Sequence, residues 1–118
     1  MKNQINNTVT ITGNLGNQPE IKELTSGLLC AKFNVATRTF SKDENGHWVK
    51  NTHWHKVIAW GKTAELVKAS LGKGRCANIE GVRKQRRYTD KQGNDKSYIE
   101  IVAEKILVFP KRVRHAIS

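Results

Sequence analysis

The scarcest thing in this chain is negative charge. Ten Asp and Glu stand against 21 Lys and Arg in 118 residues, for a formal net charge of +11 and a pI near 10. A field of that sign draws polyanions, either nucleic acid or an anionic membrane surface. Long apolar runs are also missing. Nothing approaches the roughly 18 residues of a transmembrane helix, and Met1-Lys2-Asn3-Gln4 does not open a signal peptide, so a cytoplasmic protein is expected. Cysteine is nearly absent. Cys30 and Cys76 lie far apart in strand-like surroundings, and each is expected as a reduced, half-buried thiol rather than a disulfide partner or metal ligand. There is no internal repeat, low-complexity stretch or second domain, and the length suits one modest core.

Catalytic constellations are missing too. No Ser-His-Asp set is recognisable, no carboxylate pair flanks a cleft signal, and His53-x-His55 lacks a third ligand. Gly61-Lys62-Thr63 resembles the end of a phosphate-binding loop, but that pattern needs a glycine where Lys56 stands. The chain is therefore expected to be no enzyme and to carry no metal or cofactor.

What is present centres on residues 51–62, N-T-H-W-H-K-V-I-A-W-G-K. Read as a strand, it puts Trp54, Lys56, Ile58 and Trp60 on one face and His53, His55, Val57 and Ala59 on the other. A core strand with a Trp at each edge fits this pattern, and so does a surface that stacks flat rings and tracks negative charge. The charge of the whole chain tips the reading to nucleic acid. The basic residues lie in strands and turns rather than on an amphipathic helix, which argues against a membrane.

The rest of the chain reads as bent strands. Thr8-Val9-Thr10-Ile11-Thr12 alternates, with Val9 and Ile11 on one face. Gly13-Asn14-Leu15-Gly16-Asn17 and Pro19 then demand a bend before the strand resumes at residues 21–24. Leu29, Ala31, Phe33 and Val35 share a face of a second strand that runs on to Phe40. Asp43-Glu44-Asn45-Gly46 is a hairpin signal, which places Trp48 near the tip and sets Phe40 and Trp54 on paired strands. Thr63 is expected to cap a short helix over residues 64–71, whose Ala64, Val67 and Leu71 would plug a barrel end. A strand over residues 75–87 puts Ala77 and Ile79 inward and bends at Gly81. It ends in Arg83-Lys84-Gln85-Arg86-Arg87-Tyr88, read as a finger gripping a nucleic-acid backbone. A last strand over residues 97–109 sets Ile99, Ile101 and Ala103 on one face, opposed by Tyr98, Glu100, Val102 and Glu104. Five strand segments with a helix between the third and fourth is the order of an all-β OB-fold, a five-stranded Greek-key barrel, expected over residues 1–110 with a short basic tail at 111–118.

The residues also match a family. Gly13-Asn14-Leu15-Gly16 with Pro19-Glu20, Trp54-His55-Lys56-Val57, Trp60-Gly61-Lys62 with Ala64-Glu65, Lys73-Gly74, Ile79-Glu80-Gly81, and Tyr88-Thr89-Asp90 with Gly93 closely resemble the bacterial single-stranded DNA-binding proteins. The resemblance runs in order over roughly residues 5–109. It implies sequence-independent coating and protection of single-stranded DNA in replication, recombination or repair, in a nucleoid-associated homotetramer. It places base-stacking rings at Phe40, Trp54, Trp60 and Tyr88, with Phe40 and Tyr88 standing where Trp is frequent. It places basic DNA-path positions at Lys56, Lys62, Lys73 and Arg86, to which the basic run adds Arg87, and it puts His55 at a subunit interface. The family usually continues into an acidic, Phe-terminated tip that recruits other proteins. This sequence ends in basic residues, so either the tail has been removed or the chain is a short paralogue of the kind that serves a plasmid or other mobile element, the second being slightly favoured. No tail-mediated partners are expected of it as it stands. An OB-fold RNA binder or a primosome-type accessory protein is the alternative.

Overall fold

The structure is a computed structural model that describes residues 7–110. The basic tail expected at 111–118 lies outside the described residues. Six strands and one helix follow in the order β1 (Thr8–Leu15), β2 (Glu20–Glu23), β3 (Leu29–Lys42), β4 (Trp48–Trp60), α1 (Gly61–Ser70), β5 (Cys76–Thr89) and β6 (Asp95–Val108). The expected first strand is thus two: Gly16 to Pro19 interrupt it, and the chain resumes at Glu20, pairing with β3 alone.

The sheet order is β1-β5-β6-β4-β3-β2, and a further pairing of β1 with β3 closes it into a barrel. Closure rests on Asn14 opposite Ala36 and Leu15 opposite Val35. All pairings are antiparallel except β4 with β6, where Lys56, Val57 and Ile58 meet Glu100, Ile101 and Val102 in parallel. The fold is the expected OB-fold, with α1 following the third of its five barrel strands (β4) and β2 as an edge addition.

The inward residues are those the alternation selects. Ala31, Phe33, Val35, Val57, Ala59, Ala77, Ile79, Ile101 and Ala103 form one buried cluster. Ala64, Val67 and Leu71 of α1 join it, so the helix closes one end of the barrel. The register of β5 on β6 shifts between Glu80 and Gly81, the bulge that turns a barrel corner. Gly13 is needed where β1 crosses β3. A Cβ there would sit 2.1 Å from the Ala36 carbonyl oxygen, so only glycine lets the two backbones meet.

Two expectations, the start of α1 and the half-burial of Cys30, need correction, and parity in β6 does not predict burial. Helix α1 begins at Gly61, not after Thr63, with Trp60 in extended backbone at the N-cap and no side-chain cap bond. The continuous β4 delivers the chain directly into the helix, so no polar cap marks the junction. Ile99 keeps the inward parity of Ile101 and Ala103 but is 50% exposed, because β5 and β6 run past the barrel rim as a free hairpin. Glu100, on the outward parity, is nevertheless buried, beside Arg86. The two thiols are free, Cys30 being fully buried rather than half-buried. Burial pushes the Cys30 thiol up, against the opposing pull of Lys32. Among the described residues no helix is long and apolar enough to cross a membrane.

Candidate nucleic-acid interface

The long β3–β4 hairpin sets the geometry. Its register runs unbroken from Cys30 opposite Trp60 to Lys42 opposite Trp48. Cross-strand partners share a face, so one face carries Lys32, Asn34, Ala36, Arg38, Phe40 and Lys42 of β3 with Trp48, Lys50, Thr52, Trp54, Lys56, Ile58 and Trp60 of β4. Every Lys and Arg of these two strands lies on that face, as do all their Trp residues and Phe40. Neither strand contains a carboxylate. The opposite face carries Phe33, Val35, Val57 and Ala59 into the core and, past the barrel rim, Thr37, Thr39, His53 and His55.

The rings on the first face are open to solvent, Phe40 at 63%, Trp54 at 62% and Trp60 at 37%. Trp54 lies over Gly16, where a Cβ would stand 2.2 Å from the edge of the indole. Glycine at that position therefore sets how low the ring can lie. The loop beneath is pinned: the Asn34 N–H donates to Asn17 Oδ1 at 2.9 Å, and the Gly16 N–H to the Asn34 carbonyl at 2.9 Å.

A second group of side chains reaches this face from the β5–β6 hairpin. Arg86 stands opposite Tyr98, and Tyr88 opposite Lys96. The Tyr88 and Tyr98 rings are 5.9 Å apart and tilted by 60°. The Lys56 ammonium sits 5.0 Å from the centre of the Tyr98 ring, a cation–π contact that joins this hairpin to the β4 face. Arg86 Nε donates to Glu100 Oε1 at 2.9 Å, which fixes the guanidinium while leaving the side chain partly exposed.

Phe40, Trp54, Lys56, Trp60, Arg86 and Tyr88 are thus brought to one continuous outer surface. Lys62 follows Trp60 in the chain and is exposed in the first turn of α1. Lys73 stands apart, in the turn after α1, its N–H donating to Gln18 Oε1 at 3.2 Å. Arg87 points the other way, paired with Ser97 on the opposite face of the β5–β6 hairpin, because its parity differs by one from that of Arg86 and Tyr88. Tyr98 is the residue that sequence reasoning left out. Its even spacing from Tyr88, across the turn at residues 90–94, is the signal that puts both rings on one face.

His55 is half-buried on the inward face, with Nε2 2.9 Å from Thr37 Oγ1, and His53 Nε2 is 3.1 Å from Thr39 Oγ1. Desolvation, then the neighbouring His53 and Arg83, hold the His55 pKa below its ordinary 6.5. Among the described residues no three His, Cys, Asp or Glu side chains converge as a metal site would require.

A closed five-stranded barrel whose β3–β4 hairpin presents rings and cations, and no carboxylate of its own two strands, on one face defines an OB-fold module of the kind that holds nucleic-acid strands. Residues 6–109 match the model of the single-strand binding protein family, and the chain belongs to that family. It is 40% identical over 92 residues to single-stranded DNA-binding protein 1 of Chlorobaculum tepidum, covering 78% of this chain and 57% of that protein. It is 35% identical over 100 residues to the single-stranded DNA-binding protein of Xylella fastidiosa, covering 85% and 61%. The chain therefore spans about three-fifths of the length of these relatives. Among solved structures it is similar to the Plasmodium falciparum SSB in complex with ssDNA, with a TM-score of 0.85, 25% identity, 93% of this chain and 100% of that one. It is also similar to a deletion mutant of the Thermus aquaticus single-stranded DNA binding protein, with a TM-score of 0.77, 29% identity, 90% of this chain and 51% of that one.

Proposed function

We propose that this chain binds single-stranded DNA without reading its sequence, and so protects the strand during replication, recombination or repair. The observation that carries the reading is the sorting of the β3–β4 hairpin, with all its cations and exposed rings on one face and no carboxylate in either strand. Rings accept any base, because every base has a flat π-face, and cations accept the phosphates between them. In this reading Trp54, Trp60, Phe40 and Tyr88 stack bases. Lys56, Lys62 and Arg86 neutralise phosphates along the same path, Lys73 acts at the barrel end, and Arg87 adds positive field from the far side of its hairpin. The role is that of a binding protein acting on nucleoid DNA in the cytoplasm, with no chemical step. Assembly into a homotetramer uses the face that bears His55, directed away from the rings.

Alanine at Trp54 or Trp60 tests this. Each substitution should cost about 1–3 kcal/mol of affinity for an oligodeoxythymidylate while leaving the melting temperature nearly unchanged. Mutants that bind normally but melt much earlier would make these rings part of the core. Competition by an RNA of the same sequence with equal or better affinity would favour the RNA-binding alternative.

A further inference from the structure

Trp48 is used by nothing described so far. At 68% it is the most exposed large apolar side chain among the described residues, and it stands at the last pair of the β3–β4 ladder. The Lys42 ammonium, its cross-strand partner, lies 5.2 Å from the centre of its ring. One step back along the same face are Phe40 and Lys50, again a ring opposite a cation. The carboxylate next in sequence, Asp43, is turned into the loop. Its Oδ1 accepts the N–H groups of Asn45 at 2.9 Å and His47 at 2.8 Å.

We propose that the tip of the β3–β4 hairpin is an additional nucleotide subsite, in which Trp48 stacks a base and Lys42 contacts the adjoining phosphate. The proposal rests on the single-stranded DNA reading above and extends its path outward from Trp54. Six residues of strand separate Trp48 from Trp54, about 20 Å at ~3.3 Å per residue, so a strand on Trp54 must continue along the hairpin to reach the tip. The subsite serves only a ligand long enough to do so. A protein partner docking on this ring would meet Lys42 across the ladder and Lys50 one step along the same face, with Arg38 farther back on it, a poor match to an apolar contact and a good one to a polyanion. The cation already resting on the ring also holds the indole for stacking, and moving to a phosphate frees the ring face for a base.

Length dependence is the test. Binding of oligodeoxythymidylates of increasing length is measured by anisotropy for the unaltered protein, Trp48→Ala, Trp48→Tyr, Lys42→Gln and Trp54→Ala, with light scattering on each free protein. Trp48→Ala should weaken long oligonucleotides on the order of tenfold and leave the shortest bound ones unaffected. Trp48→Tyr should restore most of the loss, and Lys42→Gln should reduce the salt slope for long oligonucleotides by about 0.7. Trp54→Ala should weaken both lengths. If Trp48→Ala binds every length as the unaltered protein does while Trp54→Ala does not, the subsite is overturned and the DNA reading stands. If the unaltered protein binds no length, that reading falls and the subsite with it. If Trp48→Ala changes the scattering mass and not the length dependence, the ring is a contact between subunits and the proposal is overturned.

Discussion

Two histidines one turn of the pleat apart mark the inward face of β4, and their chemistry differs from that of the rings behind them. His55 is half-buried against Thr37, with His53 and Arg83 adding like charge, so its neutral form is favoured in the folded chain. A histidine pKa below 6.5 when folded, and near 6.5 when unfolded, means the unfolded chain takes up more protons as the pH falls below about 6.5. The stability it confers is complete above that pH and is lost as the pH falls through the lowered folded value. Melting temperatures recorded from pH 8 to pH 4 should fall below about pH 6.5, and His55→Gln should flatten that part of the curve. An unchanged curve in the mutant would assign the loss to other groups. The sequence made the position of His55 legible through parity alone. Its hydrogen bond to Thr37 depends on the β3–β4 register, which no local pattern states.

At the scale of elements, the G-N-L-G segment ending β1 does two separate jobs with two glycines. Gly13 meets backbone, the Ala36 carbonyl at 2.1 Å from a would-be Cβ, whereas Gly16 meets the edge of an exposed ring. Backbone cannot yield without opening the β1–β3 closure, but the Trp54 indole can swing outward. Gly13→Ala should therefore cost about 1–3 kcal/mol of stability, read as a lower melting temperature. Gly16→Ala should melt close to the unaltered protein yet lose single-stranded DNA affinity in the direction of Trp54→Ala. Equal melting losses in both would show that Gly16, too, is structural. Bent strands and glycine corners were readable in advance because each leaves a local mark. The start of α1 was not, since β4 runs straight into it and Trp60 supplies no polar cap. The exposure of Ile99 was not either, because parity tells which way a side chain points and not where the barrel ends.

For the whole molecule, the decisive property is where the +11 net charge is placed. The charge total was visible from composition. The sorting of Lys32, Arg38, Lys42, Lys50 and Lys56 onto a single face needed the two strands to be paired in register. Tyr98 escaped notice for the same reason: its contacts to Lys56 and Tyr88 join β4, β5 and β6, which come together only when the barrel closes. Arg87 shows the converse, a cation in the right run of sequence that falls on the wrong side of its hairpin. A path built this way should feel salt in proportion to the phosphates it neutralises, and should not depend on base identity. The most direct measurement is the affinity for a long oligodeoxythymidylate, and for a mixed-sequence strand of the same length, across a series of salt concentrations. The account predicts parallel lines of log K against log salt for the two strands, each steeper than about −2, as expected when three or more phosphates are neutralised at roughly −0.7 apiece. A slope near zero, or tighter binding to the matching duplex than to the single strand, would contradict it.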